Sequence, residues 1–197
     1  MPDDNAVVGQ MLFERAKKEY PYLANQDIVY DYKPIEKAGY LETFDPVESG
    51  DPKNPLTQRP ETIPFGQYGI QVRNPQTTPS MIMGDAISHI FNQINPKTGQ
   101  PVDPNLYGLY QQFAQTMQTP EWQQRLAKDY ETEKAEAAKE GSQLDFGTLQ
   151  HYIQNNRIPA YMRGYVMNQW DQDWNKSWMS PQQQQILDQI KSYLKVK

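Results

Sequence analysis

Asp85 and His89 stand four residues apart in Met83-Gly84-Asp85-Ala86-Ile87-Ser88-His89. On a helix that spacing puts both side chains on one face, so a carboxylate and an imidazole can address the same point. Two chemistries follow: a carboxylate–imidazole pair, or two ligands of one metal ion. Zinc peptidases use His-Glu-x-x-His, in which two imidazoles hold zinc while the glutamate activates water. Here the frame reads Gly84-Asp85-Ala86-Ile87-Ser88, with His89 one place out of register. The chain holds 2 histidines and 0 cysteines, so a catalytic zinc site would need carboxylates in unusual roles. The pair is therefore expected to be structural, with no cofactor or metal. A degenerate or unconventional zincin-like hydrolase centred on Asp85 and His89 is the alternative.

Other nucleophile or phosphate chemistry lacks its local frame. His151 has no acid or nucleophile at useful spacing, and no G-x-S-x-G elbow accompanies it. Gly66-Gln67-Tyr68-Gly69 lacks the lysine and the following helix start of a phosphate loop. Aromatic residues offer binding instead. Trp170, Trp174 and Trp178 recur at i, i+4 and i+8 and would form one ridge if a helix persists to Met179. Such ridges meet sugars, proline-rich peptides or protein partners, and tryptophan is favoured at interface hot spots. Closing the core against the last helix is the competing role for Trp170 and Trp174. Trp178, beside Asn175, Lys176 and Ser177, is the better interface candidate.

These residues need elements to position them. Residues 78–94 form the most apolar run in a polar chain. Met83, Ile87, Ile90 and Ile94 fall at helical spacing, and Ile82, Ala86 and Phe91 widen the stripe beyond half the circumference. Thr78 suits the N-cap and Pro79 the first helical position. A helix apolar most of the way round must be surrounded, which makes this one the central core helix. Asp103-Pro104, Thr119-Pro120 and Ser180-Pro181 repeat the same start signal. They predict helices from Pro104 to about Met117, from Pro120 to about Lys139, and from Pro181 with Ile186, Leu187, Ile190 and Leu194 inward. A further segment from Asp145 to about Asn155 is expected to break at Ile158-Pro159, and another to run from Ala160 to about Trp170.

The first part of the chain reads differently. Residues 5–19 predict a helix with Val8, Met11, Leu12, Arg15 and Ala16 on one side, stopping before Pro21. Residues 27–32 and 40–44 are short β-branched or aromatic runs, read as two strands, and Gly69–Arg73 alternates as a third. Seven prolines between Pro46 and Pro79 exclude long helices and central strands there. That stretch is expected to be an extended, Pro-rich wrapping arm, anchored by Ile63, Phe65 and Tyr68. The fold class expected is α+β, mostly α: a small N-terminal β element and arm, then a compact bundle of five to six helices. One domain spans 1–197, with 1–77 as helix, strands and arm and 78–197 as helical core.

Composition bounds the partners. Hydrophobic residues make up only 37% of 197, so a modest core completed on a partner is expected. A net charge of −5 argues against general nucleic-acid binding, which needs a basic face. No apolar run approaches the ~18–20 residues of a membrane span, and the acidic Met1-Pro2-Asp3-Asp4 start is unlike a secretory signal.

One resemblance covers roughly residues 28–195. Ile28-Val29-Tyr30-Asp31-Tyr32-Lys33-Pro34, Phe44-Asp45-Pro46, Gly50-Asp51-Pro52, Gly69-Ile70-Gln71-Val72, Gly84-Asp85-Ala86-Ile87-Ser88-His89 and Tyr161-Met162-Arg163-Gly164-Tyr165 carry it. In these features the chain resembles uncharacterised virion-associated proteins of tailed bacteriophages. The resemblance implies a phage context and no activity. The expectation is a non-enzymatic structural protein, made in the host cytoplasm and located in the virion. It would bind other virion proteins, in head, portal, tail or an ejected component, with a homo-oligomer as one form. Ile63, Phe65, Tyr68, Trp170, Trp174 and Trp178 are its candidate contacts.

Overall fold

The computed structural model describes residues 4–26, 28–30, 42–46, 68–72, 78–95, 98–139, 147–169 and 178–196. Side chains are described from residue 11 onward and not within the strands. The central element is α3 (Pro79–Ile90). Thr78 Oγ1 accepts the Met81 amide at 3.3 Å, and Pro79 occupies the first turn, where its missing donor costs nothing. Ile82, Met83, Ala86, Ile87 and Ile90 are all at or below 1% exposure, so apolar surface on nearly every side of the helix is covered. α1 (Asp4–Glu19) and α7 (Ile158–Val166) pack on it.

α1 reaches the core on a face rotated from the one its sequence pattern predicts: Leu12 and Ala16 pack inward as expected, but Met11 and Arg15 do not. Phe13 and Ala16 are buried, whereas Met11 is 67% exposed and Arg15 lies in solvent. The larger Phe13 ring sets the rotation, and α2 (Pro21–Ala24) follows with Tyr22 and Leu23 inward. These residues share one hydrophobic cluster with the C-terminal helices.

The α+β expectation is corrected: among the described residues the fold is mostly helical, and every buried core residue comes from a helix or the turn beside it. Backbone pairing joins three short segments, β1 (Ile28–Tyr30), β2 (Glu42–Pro46) and β3 (Tyr68–Val72). β3 lies between the other two, parallel to β1 and antiparallel to β2, so the first two segments do not form a hairpin with each other. At three to five residues each, they form only a small sheet, which lies against α1 and α3. Most of the expected Pro-rich arm, including Ile63 and Phe65, lies outside the described residues.

α4 (Pro104–Thr116), α5 (Pro120–Lys139) and α8 (Pro181–Leu194) complete the bundle. Ser180 and Gln183 form a reciprocal capping box at α8: the Ser180 amide donates to Gln183 Oε1 at 2.9 Å, and the Gln183 amide to Ser180 Oγ at 3.2 Å. Gln183 is 1% exposed and donates through Nε2 to Thr116 Oγ1, tying α8 to α4.

Pro159 does not break the chain's helical path. α6 (Leu149–Tyr152) continues through a π-helical turn, Ile153–Arg157, directly into α7. The Ile158 amide bonds five residues back to the Ile153 carbonyl. Proline brings no amide for the next such bond, which would have reached Gln154, so that carbonyl is open to side chains. Asn92 Nδ2 and the Tyr110 hydroxyl take it, at 2.9 and 2.8 Å. α7 itself ends earlier than the sequence suggests. Asn168 adopts φ 51°, and the Gln169 amide returns to the Gly164 carbonyl at 2.9 Å, a helix stop of the Schellman type.

Candidate functional site

α3 places Asp85 half-buried, with one carboxylate oxygen fully covered, and leaves His89 exposed. Between them, the Ser88 hydroxyl donates to the Asp85 backbone carbonyl at 2.8 Å. Among the described residues no group of three or more His, Asp or Glu side chains is arranged to hold a metal ion. His151 is also exposed, its Nδ1 3.1 Å from Asn155 Nδ2, just after the Thr148 cap of α6.

The structure gathers a different set of residues. A groove of about 950 Å³ opens between the end of α3, the outer face of α4, and α6 with the π-helical turn. Asn92, Gln111, Gln115, Gln150, Gln154 and Asn155 line it with side-chain amides, and Tyr107 and Tyr110 supply phenols. No Asp, Glu, Lys, Arg or His is among its described lining residues. Its frame is fixed by the Gln154 carbonyl, which Asn92 and Tyr110 hold as described, and by Asn92 Nδ2 to Asn155 Oδ1 at 3.0 Å. Gln123 donates to the Met117 carbonyl at 2.8 Å and anchors the far end. Burial pushes the Tyr110 phenol up to about 12, so it stays a neutral donor throughout the ordinary pH range. Gln111, Gln115 and Gln150 stay exposed on the two walls, and Leu149 adds an apolar rim at 39% exposure.

Gln112 and Gln115 also border a second, shallower hollow of about 290 Å³ toward α8, where Gln182, Gln185 and Gln189 surround Ile186. The described linings of the two hollows, from α6 across α4 to α8, are therefore uncharged and rich in amides, with Asp188 exposed beside Gln185 and Gln189. The sequence carried a signal for it: α4 has no charged residue in 13 positions.

The π-helical turn faces the opposite way with charge. Arg157 donates through Nε to Asp129 Oδ2 at 3.0 Å and through Nη1 to Glu133 Oε1 at 2.7 Å. The Tyr161 hydroxyl donates to the same Asp129 oxygen at 2.6 Å, and the Arg157 guanidinium lies 4.8 Å from the Tyr161 ring centre. Burial raises the Tyr161 phenol above its ordinary range, and the Asp129 acceptor adds to the rise.

Trp178 joins the end of this seam. Its ring meets Trp122 and Tyr161 edge-on at 5.3 and 5.1 Å, with the Arg125 guanidinium 4.7 Å from its centre. It is half-buried, so this packing gives its interface role no support. Trp170 and Trp174 lie outside the described residues, as does the Tyr68 side chain. α7 ends at Val166, short of the end near residue 170 that the sequence suggests.

Asp103 is a buried carboxylate, and no ion pair to it is present among the described residues. It caps α4 by accepting the Asn105 and Leu106 amides, each at 3.0 Å, and accepts the Tyr22 and Tyr193 hydroxyls at 2.8 and 3.1 Å. Burial first, and then the Asp103 charge, hold Tyr22 far above the usual phenol range. This cluster ties α2, α4 and α8 together and serves the frame.

Among the described residues no helix is long and apolar enough to cross a membrane. Comparison with family models, curated proteins and solved structures finds no match to this chain.

Proposed function

We propose that the chain is a non-enzymatic structural protein of a tailed-phage virion that binds other virion proteins. The uncharged hollow between α4 and α8 is the observation that carries the binding part of this reading. Centres of protein interfaces are depleted of charged residues, and side-chain amides exchange hydrogen bonds across them without the cost of desolvating an ion. Gln182, Gln185 and Gln189 stand exposed around the buried Ile186, on a helix fixed by its capping box. The virion context comes from the sequence resemblance over residues 28–195.

Mass spectrometry of purified particles, with size measurement of the isolated protein, tests the reading. The chain should be found in particles, and Gln185→Glu/Gln189→Glu should fold normally yet incorporate at least tenfold less. A monodisperse protein absent from particles would remove the proposal.

A further inference from the structure

We propose that the groove between α4 and α6 is a binding site for a neutral oligosaccharide. This inference does not rest on the virion reading. It stands on the groove's size, its lining and the way its walls are built.

At about 950 Å³ the groove lies near the top of the ~300–1,000 Å³ range of small-ligand sites and has room for several linked sugar rings. Among the described residues its lining holds no carboxylate, ammonium, guanidinium or imidazole, in a chain where 22% of residues are charged. A charged ligand would lose its hydration there without gaining a counter-charge. Each Gln or Asn amide presents donors and an acceptor in one plane. A sugar hydroxyl also both donates and accepts, so Gln111 on one wall and Gln150 on the other match that chemistry directly. The half-buried Tyr107 and the exposed Leu149 give apolar surface for the C–H faces of a pyranose ring.

The common modes of peptide recognition fit less well. Helices wall the groove, so it offers no strand edge for β-augmentation. Its apolar floor is already filled by Ile153 and Ile158, at 7% and 1% exposure, leaving no slot for the anchors of an amphipathic helix. Proline-rich segments need a row of exposed aromatics, whereas of the two tyrosines Tyr110 is buried and bonded to Gln154.

The walls are also preorganised. The π-helical turn is kept open by Pro159, and the Gln154 carbonyl it releases is held by Asn92 and Tyr110. π-Turns of this kind recur at functional sites. Here the turn sets the distance between the α4 and α6 walls before any ligand arrives, so little ordering remains to be done on binding.

Calorimetric and NMR titration of the full chain with maltoheptaose, cellohexaose and chitohexaose tests the proposal. At least one should bind saturably, with Kd changing less than twofold between about 20 and 500 mM NaCl, because no charge is neutralised. Gln111→Glu and Gln150→Glu should each weaken that binding at least tenfold, while Gln185→Glu, outside the groove, should leave it unchanged. NMR spectra of the free variants verify their fold. Failure of all three sugars to bind at millimolar concentration overturns the inference. So does binding that survives both groove substitutions, or saturable binding of an uncharged Ala/Ser decapeptide in place of the sugars.

Discussion

α4 and α5 are neighbours in sequence and opposites in chemistry. α4 has no charged side chain, and its outer face forms a wall of the groove and a border of the hollow toward α8. α5 is charged along its whole length, and it turns Asp129 and Glu133 inward onto Arg157. The π-helical turn stands between the two. Gln154 and Asn155 face the amide groove, while Arg157 faces the ionic seam. The difference separates two uses of polarity. Where charge is partnered and part-covered it fixes the positions of helices. Where the two hollows open, the described linings carry no charge.

Alkaline pH should produce the largest effect, because several phenols are held neutral by the fold. Tyr22, Tyr110, Tyr152 and Tyr161 all sit above the ordinary phenol value, first through burial. The sign follows from linkage. Below about pH 10 both folded and unfolded phenols are neutral, and stability is unaffected. Above it only the unfolded chain ionises, so stability falls by about 1.4 kcal/mol per pH unit for each such tyrosine, until its folded pKa is passed. Urea melts between pH 9 and 12 should show this steep loss. A flat profile to pH 11 would contradict the burial of these groups.

Cutting the seam comes next. Arg157→Met leaves Asp129 and Glu133 without their cation and should cost about 2 kcal/mol, below the ~3–5 of a fully buried pair because all three side chains keep some exposure. A change under about 0.5 kcal/mol in urea melts would show that α5 is held by its apolar face alone. Tyr110→Phe tests the frame of the groove. It removes one of two donors to the Gln154 carbonyl and should cost about 1 kcal/mol, since Asn92 still serves that oxygen. Its alkaline loss of stability should also become shallower than that of the parent. Smallest of all, Gln111→Ala or Gln150→Ala should move stability by less than about 0.5 kcal/mol, as exposed amides do. A large loss there would place these residues in the frame and erase the contrast with α5.

Much of the helical frame was legible because it is locally encoded. Thr78-Pro79, Asp103-Pro104 and Ser180-Pro181 mark real helix starts, each with a side chain accepting a backbone amide. What escaped depends on tertiary geometry. Pro159 reads as a breaker, yet a π-turn absorbs it because Tyr110 and Asn92, far away in sequence, satisfy the carbonyl it leaves open. Asn168 reads as an ordinary polar residue, yet its tolerance of positive φ lets α7 end at Val166. Strand-like runs near the N-terminus added a β element to a mostly helical expectation because β-propensity registers locally, whereas the described core is assembled from helices. The candidate groove was the least legible part. Its signal is an absence of charge on α4, and no motif marks an absence.

The claim that uncharged surfaces meet partners while charged ones hold the frame is tested most directly by quantitative mass spectrometry of particles from phage carrying Gln185→Glu/Gln189→Glu or Arg157→Met. The glutamate variant should match the parent in urea melts within about 0.5 kcal/mol yet incorporate at least tenfold less. The Arg157 variant, less stable but folded at the growth temperature, should incorporate normally. Normal incorporation of the glutamate variant, or selective loss of the Arg157 variant while it remains folded, would contradict the account.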